Sequence, residues 1–324
     1  MTRDAPSTSS PELAVPGPTL RGVRLVIVSP DEAVLQRGLA EVRLVLPGLA
    51  TILQRLSELA DGTRDEERLV AAFPTDEQPQ IQRLLIGLRS RGILHTVANP
   101  DPADLFWLSV ARLAPDGAAR LAASSVAVIG VGPVAEALTH ALQSCGVGAV
   151  IGCASAAEAP AADVWCGASS DPVAAPTWLL ESANTALRAG RVFLPVWLAD
   201  LLIRVGPMTH PFDTSCLKCL LLRTDANDAQ RDLHRLIRAE PGDGYSGSGF
   251  VPPLASIAGQ VAAMEVVKYL AGLPVTTVGH AIELGLVPFR CDVRRVLRVP
   301  RCPLCSGIAD RGAPVVAHAS QLVD

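Results

Sequence analysis

Two pairs of cysteines carry the most specific chemistry in this sequence. Cys216 and Cys219 form one Cys-x-x-Cys pair, and Cys302 and Cys305 form another. Two such pairs supply the four thiolates of a tetrahedral Zn²⁺ site, and this set leaves no coordination position open for a substrate. The spacing therefore predicts a structural zinc site, with four unligated thiols as the weaker alternative.

A glycine-rich turn is the second feature with chemical meaning. Gly130 and Gly132 stand between an apolar strand pattern at 126–129 and an amphipathic helical pattern. Such glycines allow a phosphate to approach the N-terminus of the helix, where free N–H groups favour anions. The next predicted strand, 148–152, is followed by Cys-Ala-Ser instead of the acidic residue that would hold a ribose. We therefore predict that Gly130 and Gly132 are the remnant of a nucleotide site.

No side chain is predicted to be catalytic. The six histidines are scattered along the chain, and none stands at metal-ligand spacing from another. The other four cysteines lie in apolar segments, where a thiol is expected to act as a small buried hydrophobic group. These four are Cys145, Cys153, Cys166 and Cys291.

Composition limits the classes of protein and partner. The 324 residues are enough for two domains, and an apolar content of 49% with only 4% aromatic residues favours an α/β chain. The net charge of -4 argues against nucleic acid as a partner. The apolar run at 192–203 is interrupted by Asp200 and is shorter than the roughly 20 residues of a membrane span. We expect a cytoplasmic protein without a membrane partner and with reduced cysteines.

Five segments are expected along the chain. A disordered tail at 1–19 precedes a small α+β winged-helix domain at 20–97, and a linker containing Pro and Asp follows at 98–120. A Rossmann-like α/β domain extends over 121–306, and a second tail occupies 307–324. The boundary near residue 120 follows from the change in composition.

Hydrophobic periodicity predicts the elements of the first domain. Three strands are expected at 23–28, 33–36 and 41–46, followed by helices at 49–59, 65–73 and 77–91. In the second domain, a helix capped by Ser256 is expected to end at Gly272.

The first domain resembles the PqqD-type precursor-recognition domain of peptide-modifying systems. The resemblance rests on the segments GLAEVRLVLPG, ILQRLSELADG, ERLVAAF and IQRLLIGLRSRGIL. That family binds the leader of its substrate peptide as an added strand beside its sheet and against its third helix. A winged helix that contacts only its own chain is the alternative. The resemblance assigns peptide binding to Glu41, Val42, Arg43, Leu44 and Val45 on the strand and to Gln82, Leu85 and Arg89 on the helix.

The second domain resembles the ThiF and ubiquitin-activating superfamily. The resemblance rests on the glycine-rich turn, both cysteine pairs and the segment PPLASIAGQVAAMEVVKYLAG. Within that superfamily, GPMTHPFDTSCLKCLLLRTDAND is most similar to the ocin-ThiF-like group, whose members partner a YcaO-type cyclodehydratase. Active members adenylate a carboxyl terminus with an Asp after the second strand and with nearby Arg, Gln and Lys residues, which this sequence lacks.

These resemblances imply a Rossmann-like ThiF-type domain with structural zinc, preceded by a PqqD-like domain. The implied function is a non-catalytic, leader-peptide-binding partner of a YcaO-type enzyme that makes azoline, azole or thioamide groups in a ribosomally made peptide. ATP would not be used by this chain, and homodimer formation is left open. The main alternative is an ATP-dependent adenylating enzyme. A dinucleotide-dependent oxidoreductase is a second alternative, which the missing ribose acid opposes.

Overall fold

The chain divides into two compact units, Met1–Pro115 and Asp116–Asp324, called unit 1 and unit 2 below. The computed structural model describes residues 17–38, 40–97, 99–170, 175–199, 201–211, 213–239 and 249–306. The predicted tails at 1–16 and 307–324 lie outside these residues. Thr19 was placed in the first tail, but it is buried and exchanges backbone hydrogen bonds with His95, so the ordered part of unit 1 begins before residue 20.

Unit 1 consists of a three-stranded antiparallel sheet and the helices that cover one of its faces. Alternation along β2 places Ala33 and Leu35 in the core and leaves Val34 on the outer face. Leu53, Leu56 and Leu85 of the helices fill the same core. The sheet order is β1-β2-β3, so β1 and β3 are its two edges. The elements are β1 (Arg24–Ser29), β2 (Glu32–Arg37), β3 (Ala40–Val45), α1 (Leu49–Leu59), α2 (Glu66–Ala71) and α3 (Gln78–Ser90).

The segment predicted as a linker contains helices. Helix α4 (Pro102–Val110) begins with a capping box in which the side chains of Asp101 and Asp104 each accept a hydrogen bond from the other's backbone N–H. Pro102 suits the first helical position, where its missing N–H is no loss. Helix α5 (Gly117–Ala122) follows. The expectation of a connector with about one helical turn therefore missed a start signal that the sequence contains.

Unit 2 is built on a seven-stranded mixed sheet in the order β10-β9-β8-β7-β6-β4-β5. Strands β4 to β7 run parallel, and β8, β9 and β10 pair antiparallel. Strands β4 and β6 are buried on both faces, as parallel strands between helices require. The strands are β4 (Ser125–Ile129), β5 (Ala149–Cys153), β6 (Val164–Ser169), β7 (Val192–Ala199), β8 (Leu202–Val205), β9 (His280–Leu286) and β10 (Phe289–Arg295).

Helix α10 (Pro252–Ala271) is the central helix of unit 2. It packs against α5, β7, β8 and most extensively α6 (Pro133–Ser144), where Gly259 is so close that a Cβ would lie 2.6 Å from the backbone nitrogen of Leu138. Gly272 ends the helix in the left-handed conformation, as predicted. The remaining helices are α7 (Ala175–Arg188), α8 (Leu217–Ala226) and α9 (Arg231–Ala239).

One expectation about α10 is corrected. Ser256 is not its N-cap, because two prolines at the first helical positions start the helix earlier, after Val251, and the Ser256 hydroxyl donates to the Pro252 carbonyl inside the first turns. Among the described residues, α10 is also the one helix long and apolar enough to cross a membrane, and 61% of its apolar window is buried within the protein. The helix at the core of a protein satisfies the same criteria of length and composition, so these criteria do not indicate that α10 crosses a membrane.

A buried carboxylate joins α10 to the loop before β9. Glu265 is 3% exposed, and one of its oxygens accepts hydrogen bonds from the backbone N–H and the hydroxyl of Thr277, at 2.8 and 2.9 Å. Its other oxygen pairs with Lys268, whose ammonium also donates to the Thr276 hydroxyl at 3.0 Å. These donors compensate the desolvation of the charge, because a buried carboxylate without them would be strongly unfavourable.

We expect Thr277→Val to lower the free energy of unfolding by about 2 kcal/mol, because it removes a donor from a buried charge without changing side-chain volume. Thr276→Val is the matched control and should cost about 0.5 kcal/mol, since its partner Lys268 is 21% exposed and keeps its ion pair with Glu265. Chemical denaturation followed by the fluorescence of the buried Trp165 and Trp197 measures both. Equal effects of the two substitutions would contradict this account of the carboxylate.

Candidate metal centre

The two cysteine pairs come together from the middle of unit 2 and from the segment after its last strand. Cys216 is the N-cap residue of α8, and Cys219 lies in the first turn of the helix. Cys302 and Cys305 lie in successive turns after β10, where the chain returns to α8. All four are buried. The predicted ligand set is therefore assembled by a helix start and a turn, two places where a short cysteine spacing can aim both sulfurs at one point.

The four sulfur atoms have the geometry of a metal-binding cluster. Distances of 3.7 Å separate Cys216 Sγ from the Sγ atoms of Cys219 and of Cys302, and 3.6 Å separates those of Cys219 and Cys305. All four lie within 4.8 Å of one another. A tetrahedral site with Zn–S bonds of about 2.3 Å places its sulfurs about 3.8 Å apart, whereas a disulfide requires about 2 Å. The cluster is therefore close enough to hold a metal ion.

Backbone and arginine contacts fix the returning segment against α8. The Val299 N–H donates to Cys219 Sγ at 3.4 Å. Arg223 of α8 donates to the carbonyl oxygens of Leu297 and Arg298, at 2.6 and 3.2 Å, and Arg298 donates to the Cys305 carbonyl at 2.8 Å. These contacts orient the sulfur atoms and bring positive charge close to them, as the outer shell of a metal site does.

The thiols of the cluster differ in acidity. The hydrogen bond with Cys219 raises the pKa of Cys216 above its usual value, and burial acts in the same direction. The same contact lowers the pKa of Cys219, which also accepts from the Val299 N–H.

The cysteines outside the cluster do not all follow the prediction. Cys166 is buried as expected and Cys153 is half-buried, but Cys145 and Cys291 are exposed. Cys145 is the C-cap of α6, beyond the part of the helix that packs, and Cys291 lies on the edge strand β10. Burial raises the pKa of Cys145, Cys153 and Cys166, the reverse of what activates a nucleophilic thiol.

The glycine-rich turn is shaped by close packing within unit 2. Gly130 has a φ of 128°, and a Cβ there would lie 2.2 Å from the carbonyl oxygen of Ala168 at the end of β6. Its N–H donates to the Cys153 carbonyl at 2.9 Å and so is already engaged. Gly132, with a φ of 95°, is the N-cap of α6. The packing alone accounts for the glycine at position 130.

A pocket of about 400 Å³ lies beside this turn. Its lining combines Gly130, Gly132 and Gly152 with the outer side of α6. The charged or titratable side chains among the lining residues are Glu136, in the first turn of α6, and His140. Neither Lys nor Arg is among these residues, so the pocket offers a helix N-terminus to an anion but places a carboxylate beside it.

The strand predicted to bind peptide is β3, at one end of the sheet of unit 1. Glu41, Arg43 and Val45 are exposed, and Val45 is exposed to 69%. Val42 and Leu44 point inward and pack against the core. Arg43 faces Val34 of β2 and forms an ion pair with Glu32 of the same strand at 2.7 Å.

The residues predicted on α3 occupy two different faces. Gln82 and Arg89 are exposed, and Arg89 pairs with Glu66 of α2. Leu85 is fully buried in the core and presents no surface to a ligand. Ile86 is not among the residues predicted to bind peptide, but it is exposed to 62% and lies on the same helix face as Gln82 and Arg89. Gln82, Ile86 and Arg89 are spaced by four and three residues, which is the spacing of one face of a helix, so the sequence already indicates that Ile86 lies beside the other two.

We expect the purified protein to contain one equivalent of metal per chain, and we expect that metal to be zinc. Cys302→Ala should abolish metal binding and prevent unit 2 from folding stably, because structural zinc binding contributes on the order of 10 kcal/mol to folding. Cys291→Ser, outside the cluster, is the control and should keep its metal. Elemental analysis with circular dichroism measures both, and folded wild-type protein without metal would refute the site.

Comparison with known proteins places the fold. No protein-family model matches the sequence, and no curated protein matches it. Solved structures do match. A heterocyclase in complex with substrate and cofactor aligns with a TM-score of 0.70 and 19% identity over 90% of this chain and 39% of its own. The heterocyclase TruD aligns with a TM-score of 0.67 and 18% identity over 90% of this chain and 43% of its own.

E. coli MccB with ATP aligns with a TM-score of 0.61 and 13% identity, over 89% of this chain and 99% of its own. The chain therefore spans about two fifths of the heterocyclases and nearly the whole of MccB. The mixed seven-stranded sheet of unit 2 fits the ThiF-like fold expected from the sequence. The chain has the fold that is shared by these heterocyclases and MccB, which confirms the predicted ThiF-like resemblance at the level of the fold.

Proposed function

We propose that this chain is the leader-peptide-binding partner of a YcaO-type cyclodehydratase in the biosynthesis of a ribosomally made peptide that carries azoline, azole or thioamide groups. It delivers the precursor and does not itself activate a carboxyl group with ATP. The observation that carries this proposal is the alignment over 90% of the chain, at a TM-score of 0.70, with a heterocyclase in complex with substrate and cofactor.

The matched region is one part of each heterocyclase. The two heterocyclases contain about three fifths of their length outside the region that this chain matches. A YcaO-type enzyme is the partner that the resemblance of the segment around Cys216 implies.

The PqqD-like role assigned to unit 1 is supported by the edge strand β3. Backbone N–H and C=O groups on the free side of an edge strand can pair with an extended peptide, and this pairing contributes affinity independent of sequence. Specificity then depends on alternate side chains of the peptide. The exposed Glu41, Arg43 and Val45 of β3 and the stripe of Gln82, Ile86 and Arg89 on α3 are the groups that we assign to it.

The pocket beside the glycine-rich turn is poorly suited to a triphosphate. Binding ATP requires cations, from side chains or Mg²⁺ held by carboxylates, to neutralise the phosphates. The lining residues include no Lys or Arg, and the carboxylate of Glu136 lies where the helix dipole would otherwise favour an anion. Cys153 ends β5, where an acidic residue would hold a ribose. These features support the interpretation that the glycine-rich turn is needed for the packing of the fold and does not bind a nucleotide.

Zinc in the four-cysteine cluster would be structural. Four thiolates complete a tetrahedral shell, so no position remains for water or substrate. The ion would join α8, in the middle of unit 2, to the segment after β10.

An ATP-dependent adenylating enzyme is the second candidate, favoured by one observation. The chain matches MccB over 99% of MccB's length, and that structure is of a complex with ATP. The two candidates make opposite predictions about ATP and the same prediction about peptide binding.

We expect the full chain to bind the leader of the precursor encoded beside its gene, as a strand added to β3. Neighbouring N–H groups of a strand point to opposite sides, so single N-methyl groups along the leader should weaken binding at every second position. The loss at those positions should be at least about tenfold, the equivalent of one net backbone hydrogen bond. Isothermal titration calorimetry with a series of N-methylated peptides measures it.

Two proline variants test which edge strand of the unit 1 sheet binds the leader. Arg43→Pro on β3 should weaken leader binding, because proline disrupts edge pairing, whereas Arg24→Pro on the opposite edge strand β1 should leave affinity within about threefold. Both arginines are exposed, and circular dichroism confirms that each variant is folded. Loss of binding only with Arg24→Pro, or N-methyl effects without alternation, would contradict the assignment to β3.

We also expect the purified chain alone neither to hydrolyse ATP nor to exchange pyrophosphate into ATP in the presence of precursor. The reason is the lack of cationic and ribose-binding side chains around Gly130 and Gly132. Radiolabelled pyrophosphate exchange is the measurement, with E. coli MccB as the comparison protein. Precursor-dependent exchange by this chain would establish the adenylating alternative.

A further inference from the structure

The outer edge of strand β5 carries none of the features that usually protect an edge from pairing. Strand β5 lies at one end of the seven-stranded sheet, and among the described strands none pairs with its outer side. Its sequence, Ala-Val-Ile-Gly-Cys, contains no charged residue and no proline, and its register with β4 is continuous. Charges, prolines and bulges are what normally keep an edge from accepting another chain. With Ile151 also exposed to 40%, the edge is open to an added strand.

The edge is open because of the way the chain leaves β5. The next strand, β6, lies on the other side of β4, and the connecting segment 154–163 contains no helix. Parallel strands are usually joined through a helix that covers the sheet. Here Ala156 and Ala159 of the connection pack instead against the buried core that α7 covers. The connection therefore supplies neither a strand nor a helix to the outer side of β5.

The backbone groups of Val150 and Gly152 point away from the sheet. Alternate residues of a strand direct their N–H and C=O groups to opposite sides. The Ala149 N–H and the Cys153 carbonyl bond to the residues just before and just after β4, at 3.1 and 2.9 Å, so these two residues face β4. Val150 and Gly152 therefore offer two donors and two acceptors to a strand outside the sheet.

The glycine at position 152 is not explained by packing within the chain. A Cβ built on Gly152 would meet no atom of the described chain within 4 Å, whereas one built on Gly130 would collide with a carbonyl oxygen. Glycine inside a strand weakens it, and it often marks a place where another backbone or a ligand approaches closely. Gly152 lines the pocket of about 400 Å³ beside α6. Its missing side chain leaves room there for a side chain of a partner.

One side of this pocket is a polar face of α6. Thr139, His140 and Gln143 lie three, four and seven residues after Glu136, so the four side chains share a helix face. Glu136 is exposed and forms no ion pair within the described residues. Neither Lys nor Arg lines the pocket. A side chain that enters beside Gly152 therefore meets a carboxylate without a cation, which favours Lys or Arg.

We propose that the outer edge of β5 and this face of α6 form a second peptide site, which takes the part of the precursor beyond its leader as an added strand. A Lys or Arg of that segment extends over Gly152 to Glu136. The alternate residues of the added strand lie beside Ile151 and are apolar. The inference rests on the proposed function for the identity of the peptide, whereas the open edge is a property of unit 2 alone.

The strength of the contact decides which peptide occupies the edge. Four backbone hydrogen bonds at about 0.5–1.5 kcal/mol each contribute about 2–6 kcal/mol, before the lost freedom of the peptide is counted. A dissociation constant of about 1 mM corresponds to about 4 kcal/mol. A free peptide, or a strand of an unrelated protein, would therefore bind only at about millimolar concentration. A tethered segment reaches an effective concentration of that order, and the leader on β3 provides such a tether.

The test compares the full-length precursor with its leader alone, each titrated into the full chain. In calorimetry the precursor should bind about fivefold more tightly than the leader, because its second segment adds the contact with β5. Gly152→Val should reduce the affinity for the precursor to that for the leader, since the new side chain fits the free chain but fills the pocket. Ala149→Val places similar bulk on the other face of β5 and is the matched control, which should leave both affinities within about twofold.

A charge exchange tests the partner of Glu136. Glu136→Lys should also remove the fivefold difference, because it sets a cation against the Lys or Arg of the precursor. Each Lys or Arg beyond the leader is then replaced by Glu in turn. One of these replacements should restore the tighter binding to the Glu136→Lys variant, and that recovery would show that the variant is folded.

Hydrogen exchange measured by NMR locates the peptide on the chain. The N–H groups of Val150 and Gly152 should exchange rapidly in the free protein and become protected by the precursor, because they gain bonds to the added strand. The N–H groups of Ala149, Ile151 and Cys153 face β4 and should be protected throughout. The leader alone should leave Val150 and Gly152 unprotected.

Equal affinities for precursor and leader, with unchanged exchange at Val150 and Gly152, would overturn the proposal. So would protection of these groups by the leader alone, or protection in the free chain that is lost when residues 307–324 are removed, because another segment would then occupy the edge. A leader that fails to bind, while the precursor still protects both groups, would refute the proposed function and leave the β5 site standing.

Discussion

Four buried cysteine sulfurs within 4.8 Å of one another are the constraint on which unit 2 depends. Thiolates gathered in a buried site repel one another and lose their hydration, so the cluster persists only with protons or a cation among the sulfurs. Everything around the cluster serves to bring two distant segments to that point. Helix α8 presents Cys216 and Cys219 on its first turn, and Arg223 holds the returning backbone by two carbonyl oxygens.

The sequence predicts the local structure of unit 1 well, because its apolar residues repeat with the periods of strands and helices. It also predicts the ligand set of the metal centre, because two Cys-x-x-Cys pairs in one chain are a specific signature of metal binding. Burial is predicted less well. Cys145, Cys166 and Cys291 are all predicted to be buried, yet only Cys166 is. What decides the difference is which element packs against each one, and that depends on contacts distant in sequence.

The glycine-rich turn illustrates a second limit. A glycine in a strand–turn–helix unit has two physical explanations, the approach of a phosphate and the approach of another part of the same chain. At Gly130 the structure shows that another part of the same chain approaches closely, because the carbonyl of Ala168 occupies the space that a side chain would need. Glu265 shows the same limit for polar residues. Its position on α10 is evident from periodicity, but its donor Thr277 lies in a loop that no periodic pattern identifies.

The order of the cluster along the chain affects how the protein is made. The core of unit 1 is complete once Leu94 has been synthesised, whereas the metal centre needs Cys305, about 210 residues later. At roughly 5–20 residues per second, that interval lasts about 10–40 s. Cys216 and Cys219 are made only in the second half of this interval, and the 86 residues between Cys219 and Cys305 then take about 4–17 s. For the last part of its synthesis unit 2 therefore carries one half of a metal-binding set exposed to oxidants and to competing metal ions, and its yield in a cell depends on how well that half is protected until the other arrives.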